Sequence, residues 1–159
     1  QLTYKSKIGF IYDINNLQLL KSWIFKSAEG WGITNDGHSL IMSDGTEYLT
    51  YLDPQTLSTI KKIQVCNNKG VIKNLNELEY IKGEIWANIW TTDNIVRIDP
   101  KTGEIVGEID LRGLLGTNQY KPNGDEDVLN GIAFDQVKNK VYVTGKLWPK
   151  IFEIKIVKK

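Results

Sequence analysis

The chain has 159 residues, with 20 Lys and Arg against 19 Asp and Glu, a net charge of +1. That length suits one domain with a sizeable core, and so even a charge leaves no basic stripe for nucleic acid. No apolar run approaches the roughly eighteen residues of a membrane span.

In chain order, QLTYKSKIGF opens like the middle of a strand and has no signal-peptide h-region, so sequence is expected ahead of Gln1. KIGFIYDINN, EGWGIT and HSLIMSDGTEYLTYLDPQT then read as short strands separated by turns, rich in β-branched and aromatic residues. The fullest unit begins near Leu75. It reads LNELEYI, EIWANIW, NIVRIDP and EIVGEID, with turn signals at Lys82-Gly83, Thr92-Asp93 and Pro100 to Gly103. Helical period is nearly absent, one turn in LRGLLG being the main exception. The segment LRGLLGTNQYKPNGDED is long enough to suggest a functional loop at a rim. LNGIAFD, KVYVTG and KIFEIKI complete the strands.

These elements repeat. Asp53-Pro54 returns as Asp99-Pro100, 46 residues on, and HSLIMSDGTEYLTYLDPQT lies over EIWANIWTTDNIVRIDPKT without a gap. Asp13 matches Asp53 at a shift of 40, and Ile154 matches Ile98 at 56. Four-stranded units at this spacing predict an all-β fold, a β-propeller of roughly three to four blades spanning residues 1–159. The front unit lacks its first strand and the last stops after three, so the domain is expected to be incomplete at its N-terminus.

The repeat register supplies a test for functional positions. Structural positions should carry like chemistry in every unit, and functional ones unlike chemistry. The end of the second strand gives Tyr4, Asp44, Trp90 and Lys146. The first strand gives Gly30, Asn76 and Asn130, with Trp31, Glu77 and Gly131 beside them. Trp23 and Trp86 suit a propeller core. Two readings of Glu77 and Glu79 stay open, a structural hydrogen bond or a chemical role. Lysine is seldom buried, so Lys146 is solvated at a mouth or placed for its charge.

Metal and nucleophile chemistry find little support. Cys66 is alone and reads as a free buried thiol, and the one histidine, His38, lies in a turn. CxxC, HExxH, P-loop and GxGxxG patterns are all missing. The acidic stretch NGDEDV lacks EF-hand spacing and reads as a solvated loop.

Several long motifs, in order, resemble the glutamine cyclotransferase family of plant and bacterial glutaminyl-peptide cyclotransferases. They are EGWGITNDG, LIMSDGT, LNELEYIKGEIWANIWTTDNIVRIDPKTG and DVLNGIAFD with VYVTGKLWPKIFEI. The resemblance covers essentially the whole chain. It implies a five-bladed propeller and cyclisation of the N-terminal glutamine of a peptide or protein to pyroglutamate, with loss of ammonia. It also implies no metal or other cofactor, and export to a secreted or periplasmic location.

Carried over motif by motif, the resemblance assigns catalytic roles to Lys146 of TGK and Asn76 of NELEY. It gives a substrate wall to Trp31 of EGWG and Trp90 of NIW, with Tyr4 where the family commonly has Trp. Glu29, Glu77, Asn130 and Asp44 fall in the supporting shell. The family's acid/base glutamate belongs to an FTQGL-type motif that these residues do not contain. Little turnover is therefore expected of these residues alone. A non-catalytic peptide- or protein-binding propeller is the alternative, and an open edge that pairs with another chain is a third reading.

Overall fold

The computed structural model describes residues 1–116 and 128–157, and among them it has strands and turns but no helix. β1 (Ile8–Tyr12) and β2 (Leu19–Ile24) pair in a front blade, to which Leu2 adds a bridge at Gly9. β3 (Ile33–Asn35), β4 (Leu40–Ser43), β5 (Tyr48–Leu52) and β6 (Thr59–Gln64) form the second blade. A ribbon of β7 (Cys66–Asn67) and β8 (Gly70–Val71) leads to the third blade. That blade holds β9 (Leu75–Ile81), β10 (Glu84–Ile89), β11 (Asn94–Ile98) and β12 (Ile105–Asp110). β13 (Leu129–Asp135), β14 (Lys140–Gly145) and β15 (Phe152–Ile154) make the fourth. Each blade is an antiparallel meander, and β9 lies against both β3 and β13. The inner strands of successive blades therefore face one another.

Burial explains why the middle strands do not simply alternate apolar and polar. Ile85, Trp86, Ala87 and Asn88 of β10 are all buried, because blades cover both faces of the strand. Ile85 and Ala87 pack with Ile41, Leu49, Tyr51 and Leu78 between the second and third blades. Trp86 and Ile95 pack with Ile132 and Val143 between the third and fourth. The outer strands β6 and β12 are mostly exposed, each with one residue fully inside, Ile63 or Ile109. Cys66 is half-buried rather than buried, because it sits in the short ribbon, where its N–H donates to Gly103 O.

The turn at the Asp-Pro repeat is built three times, with Ile14 in place of the proline in the first copy. The N–H groups of Leu17, Leu57 and Gly103 donate to the carbonyls of Asp13, Asp53 and Asp99, four residues back. Those three donors all have positive φ, at 57°, 62° and 82°. The aspartate side chains accept the backbone N–H two residues on, at Asn15, Gln55 and Lys101. Such Asx geometry is why Asp is used here. The Thr56 N–H and hydroxyl, with the Gln55 N–H, hold the Asp53 carboxyl below the ordinary carboxylate range, and the Lys101 and Thr102 N–H groups do so for Asp99.

LRGLLG forms two hydrogen-bonded turns, Leu111 to Leu114 and Gly113 to Gly116, where one turn of helix was expected. Gly113 and Gly116 both take positive φ, which a continuing helix does not allow. Most of the expected rim loop, residues 117–127 including most of the acidic stretch, lies outside the described residues.

Leu78, 1 % exposed, joins β9 to the core between the second and third blades. Leu78→Ala is expected to cost about 3 kcal/mol in urea unfolding, with the dependence on urea unchanged.

Candidate functional site

The blades converge on a cavity of about 380 Å³ at the N-terminal ends of the inner strands. Leu2 and Tyr4 come from the front blade, Gly30 and Trp31 from the approach to β3, and Asn76 from β9. Trp90 follows β10, Asn130 lies on β13 and Lys146 follows β14. Seven of the residues singled out in the sequence thus line one space, although they are scattered over most of the chain. Leu2 was not foreseen. It comes with Tyr4, because the two flank Thr3 in the pairing with β1.

The walls are aromatic. Trp31 and Trp90 meet edge to face, 5.3 Å between ring centroids at 81°. Tyr4, 54 % exposed, stands at the mouth with its ring 6.4 Å from Trp31. The front blade is tied in at this point, since Gly30 N–H donates to Tyr4 O at 3.0 Å. Trp31 is fixed by two contacts. Its Nε1–H donates to Glu29 Oε2 at 2.6 Å, and its ring covers Gly45, where a Cβ would come within 2.6 Å of the indole. Gly145 is covered by Trp148 in the same way, at 2.3 Å. Trp148 in turn packs against Phe152 and stiffens the turn that presents Lys146.

The polar groups are few and open. Asn76 is 7 % exposed, yet its side-chain amide makes no hydrogen bond to any described residue. Its backbone carbonyl is held by Ser43 Oγ at 2.6 Å, and Ser43 Oγ also accepts Gly32 N–H at 2.8 Å. Asn130 Oδ1 accepts the Glu77 N–H at 3.4 Å. The Lys146 backbone N–H donates to Val128 O at 3.0 Å, and its ammonium forms no ion pair with a described residue. Trp90 Nε1 is buried without a partner.

Three residues from the sequence reading stand elsewhere. Asp44 does not line the cavity. Its carboxylate accepts Thr46 N–H at 3.1 Å and Thr46 Oγ1–H at 2.5 Å, within its own turn. The physical reason is a register offset. Ser43 and Asn88 play the same part, each reaching the first strand of the next blade, so Trp90 corresponds to Gly45 and not to Asp44. Glu29 acts behind Trp31. Glu77 reaches β13, where Oε2 accepts Ile132 N–H at 2.8 Å. Ser43, Asn88 and Gly45 were missed, since their partners lie in other blades and leave no local pattern.

Desolvation pushes the Glu77 carboxyl up to about 8, and Glu79, half-buried beside it on the same strand, adds to the rise. Burial also raises Glu79 itself, against the opposing pull of the Phe134 N–H. Glu79 belongs to a second cavity of about 310 Å³ at the other ends of the inner strands, shared with Thr34, Tyr80 and Phe134. Among the described residues no cluster of His, Cys, Asp and Glu has the arrangement of a metal site, and no helix could cross a membrane.

Stacked antiparallel blades, with a ligand-sized cavity at one end of their inner strands, define a β-propeller with an axial binding site. Within that class the chain belongs to the glutamine cyclotransferase family, whose model matches residues 1–156. It is 44 % identical to a glutaminyl-peptide cyclotransferase of Arabidopsis thaliana over 160 residues. That match takes in 98 % of this chain and 49 % of the plant protein, so the chain spans about half the length of its curated relative. The crystal structure of Myxococcus xanthus glutaminyl cyclase superposes with a TM-score of 0.89 at 34 % identity, covering 97 % of this chain and 66 % of that one. The WD40 propeller domain of Doa1 matches at 0.58 and 9 % identity over 95 % of this chain and 44 % of its own, which speaks for the propeller fold alone.

The raised Glu77 carboxyl has a measurable consequence. The folded chain holds this proton more tightly than the unfolded one, so its stabilisation is complete below the ordinary carboxylate range. It is lost as pH rises through about 8. Urea midpoints from about pH 5 to pH 9 should therefore fall for the natural protein, and the fall should be shallower in Glu77→Gln.

Proposed function

We propose that the full-length protein is a glutaminyl-peptide cyclotransferase, converting the N-terminal glutamine of a peptide or protein to pyroglutamate with release of ammonia. The observation that carries this reading is one cavity lined by the Asn76 amide and the Lys146 ammonium, neither with a side-chain partner among the described residues, and walled by Trp31 and Trp90. The Asn76 amide opens on the cavity, where the side-chain amide of a bound glutamine can pair with it.

The reaction is intramolecular. The α-amine attacks Cδ of its own side chain, the new N–Cδ bond forms, and the bond from Cδ to the amide nitrogen breaks. The protein need not supply a nucleophile; it must hold the flexible side chain curled so that amine and Cδ meet. The indoles of Trp31 and Trp90 confine the methylenes. The Lys146 ammonium and the Asn76 amide N–H donate to the amide oxygen, and more strongly to the oxyanion that forms at it. The attacking amine gives up one proton while the leaving nitrogen gains one. No described residue lining the cavity has a carboxylate for that transfer. The resemblance assigns it to the glutamate of the FTQGL-type motif, outside these residues.

A second reading is a propeller that binds N-terminal glutamine without converting it, for which the aromatic walls and the Asn76 amide suffice. Ammonia release from a glutamine-initiated peptide by the full-length protein separates the two, with calorimetry on the same peptide. Lys146→Ala is expected to lower kcat by roughly 10²-fold, as for loss of an oxyanion donor. Heat of binding without ammonia in the natural protein would favour the binding module, and a loss confined to KM would reduce Lys146 to binding.

A further inference from the structure

β13 leaves regular register between Leu129 and Ile132, so Asn130 and Gly131 form a bulge. Bulges re-aim side chains and are common beside active sites. The N–H groups of Gly131 and Ile132 are not left open. Gly131 N–H donates to Asn88 Oδ1 at 3.0 Å, and Ile132 N–H donates to Glu77 Oε2 at 2.8 Å. Both acceptors come from the third blade. In return, Asn130 Oδ1 accepts the Glu77 backbone N–H. The contacts are reciprocal: the Glu77 side chain grips the backbone of β13, and a β13 side chain grips the backbone of Glu77.

This clamp has a directional effect. With Oδ1 engaged on Glu77, the Nδ2 hydrogens of Asn130 are free of described partners, and Asn130 lines the cavity. Lys146 is anchored to the same blade, two residues before Asn130, by its bond to Val128 O. Bulge and lysine turn are thus one rigid unit carrying two donors.

We propose that Glu77 is a positioning residue for catalysis, which fixes the bulge so that the Asn130 amide donates, beside Lys146, to the oxyanion of the cyclising glutamine. The proposal rests on the cyclotransferase reading of the cavity. Glu77 does not line that cavity, and its role needs a hydrogen-bond acceptor, not a charge. Gln fulfils that need, which separates positioning from proton transfer.

The test compares Glu77→Ala, Glu77→Gln, Asn130→Ala and the Glu77→Ala/Asn130→Ala double variant in the full-length protein. Asn130→Ala should lower kcat by about 10²-fold with a smaller change in KM. Glu77→Ala should fall most of the way to that level, and the double variant should be little worse than Asn130→Ala, since both act through one amide. Glu77→Gln should stay within roughly threefold of the natural enzyme, because it keeps the acceptor. Full turnover in folded Glu77→Ala, or equal damage from Gln and Ala, would overturn the proposal. A second readout is independent of turnover. The Asn130 side-chain amide resonances should shift in Glu77→Ala and stay in place in Glu77→Gln. Unmoved resonances in Glu77→Ala overturn the clamp even if the protein cyclises glutamine. Shifted resonances in a protein without turnover uphold the clamp and overturn the catalytic reading instead. If Glu77→Ala does not fold, Glu77→Asp, one methylene shorter, takes its place in both readouts.

Discussion

The inner strand of each blade is an edge, and its backbone groups need partners that its own sheet does not supply. In this protein the neighbouring blade supplies them through side chains. Thr34 Oγ1 accepts Tyr80 N–H at 3.0 Å, and Glu79 Oε1 accepts Phe134 N–H at 2.9 Å, one blade further on. Nearer the other end of the inner strands, Ser43 Oγ–H donates to Asn76 O, and Asn88 and Glu77 accept the N–H groups of Gly131 and Ile132. Polar residues at the blade seams are therefore structural necessities of the propeller. The cavity lies where this pairing stops. Asn76 offers an amide with no partner among the described residues, and Asn130 offers the half of its amide that the seam does not use.

The two kinds of wall complement each other. Indoles laid over Gly45 and Gly145 keep the cavity rim rigid, since any Cβ at either glycine would displace the ring. A rigid rim suits the proposed cyclisation, in which one flexible side chain must be ordered. Tyr4 differs from the tryptophans: it is more than half exposed, and Lys5 Nζ lies 5.0 Å from its ring centre. On the proposed reading, its position at the mouth faces the peptide residues that follow the first.

Much of this was legible in the sequence. Asp13, Asp53 and Asp99 marked the blades because each must close the same Asx turn, and a turn that specific leaves a fixed spacing. Trp31, Asn76, Trp90 and Lys146 stood out because equivalent positions held unlike chemistry. The same register misplaced Asp44, since the match of second strands slips by one residue between the second and third blades while the Asp-Pro spacing holds. The roles of Glu77 and Asn88 were not legible. Their partners are backbone groups of β13, more than 40 residues away, and a backbone N–H has no identity in a sequence.

Entry of an N-terminal glutamine into the cavity at the Trp31 end of the inner strands is visible directly in a nuclear magnetic resonance titration. A glutamine-initiated peptide added to the labelled protein should move the Trp31 and Trp90 indole signals and the Asn76 and Asn130 side-chain amides. The same peptide beginning with N-acetylglutamine should move them less. Shifts confined to Thr34, Tyr80 and Phe134 would instead place the peptide at the opposite cavity and exclude binding between Trp31 and Trp90.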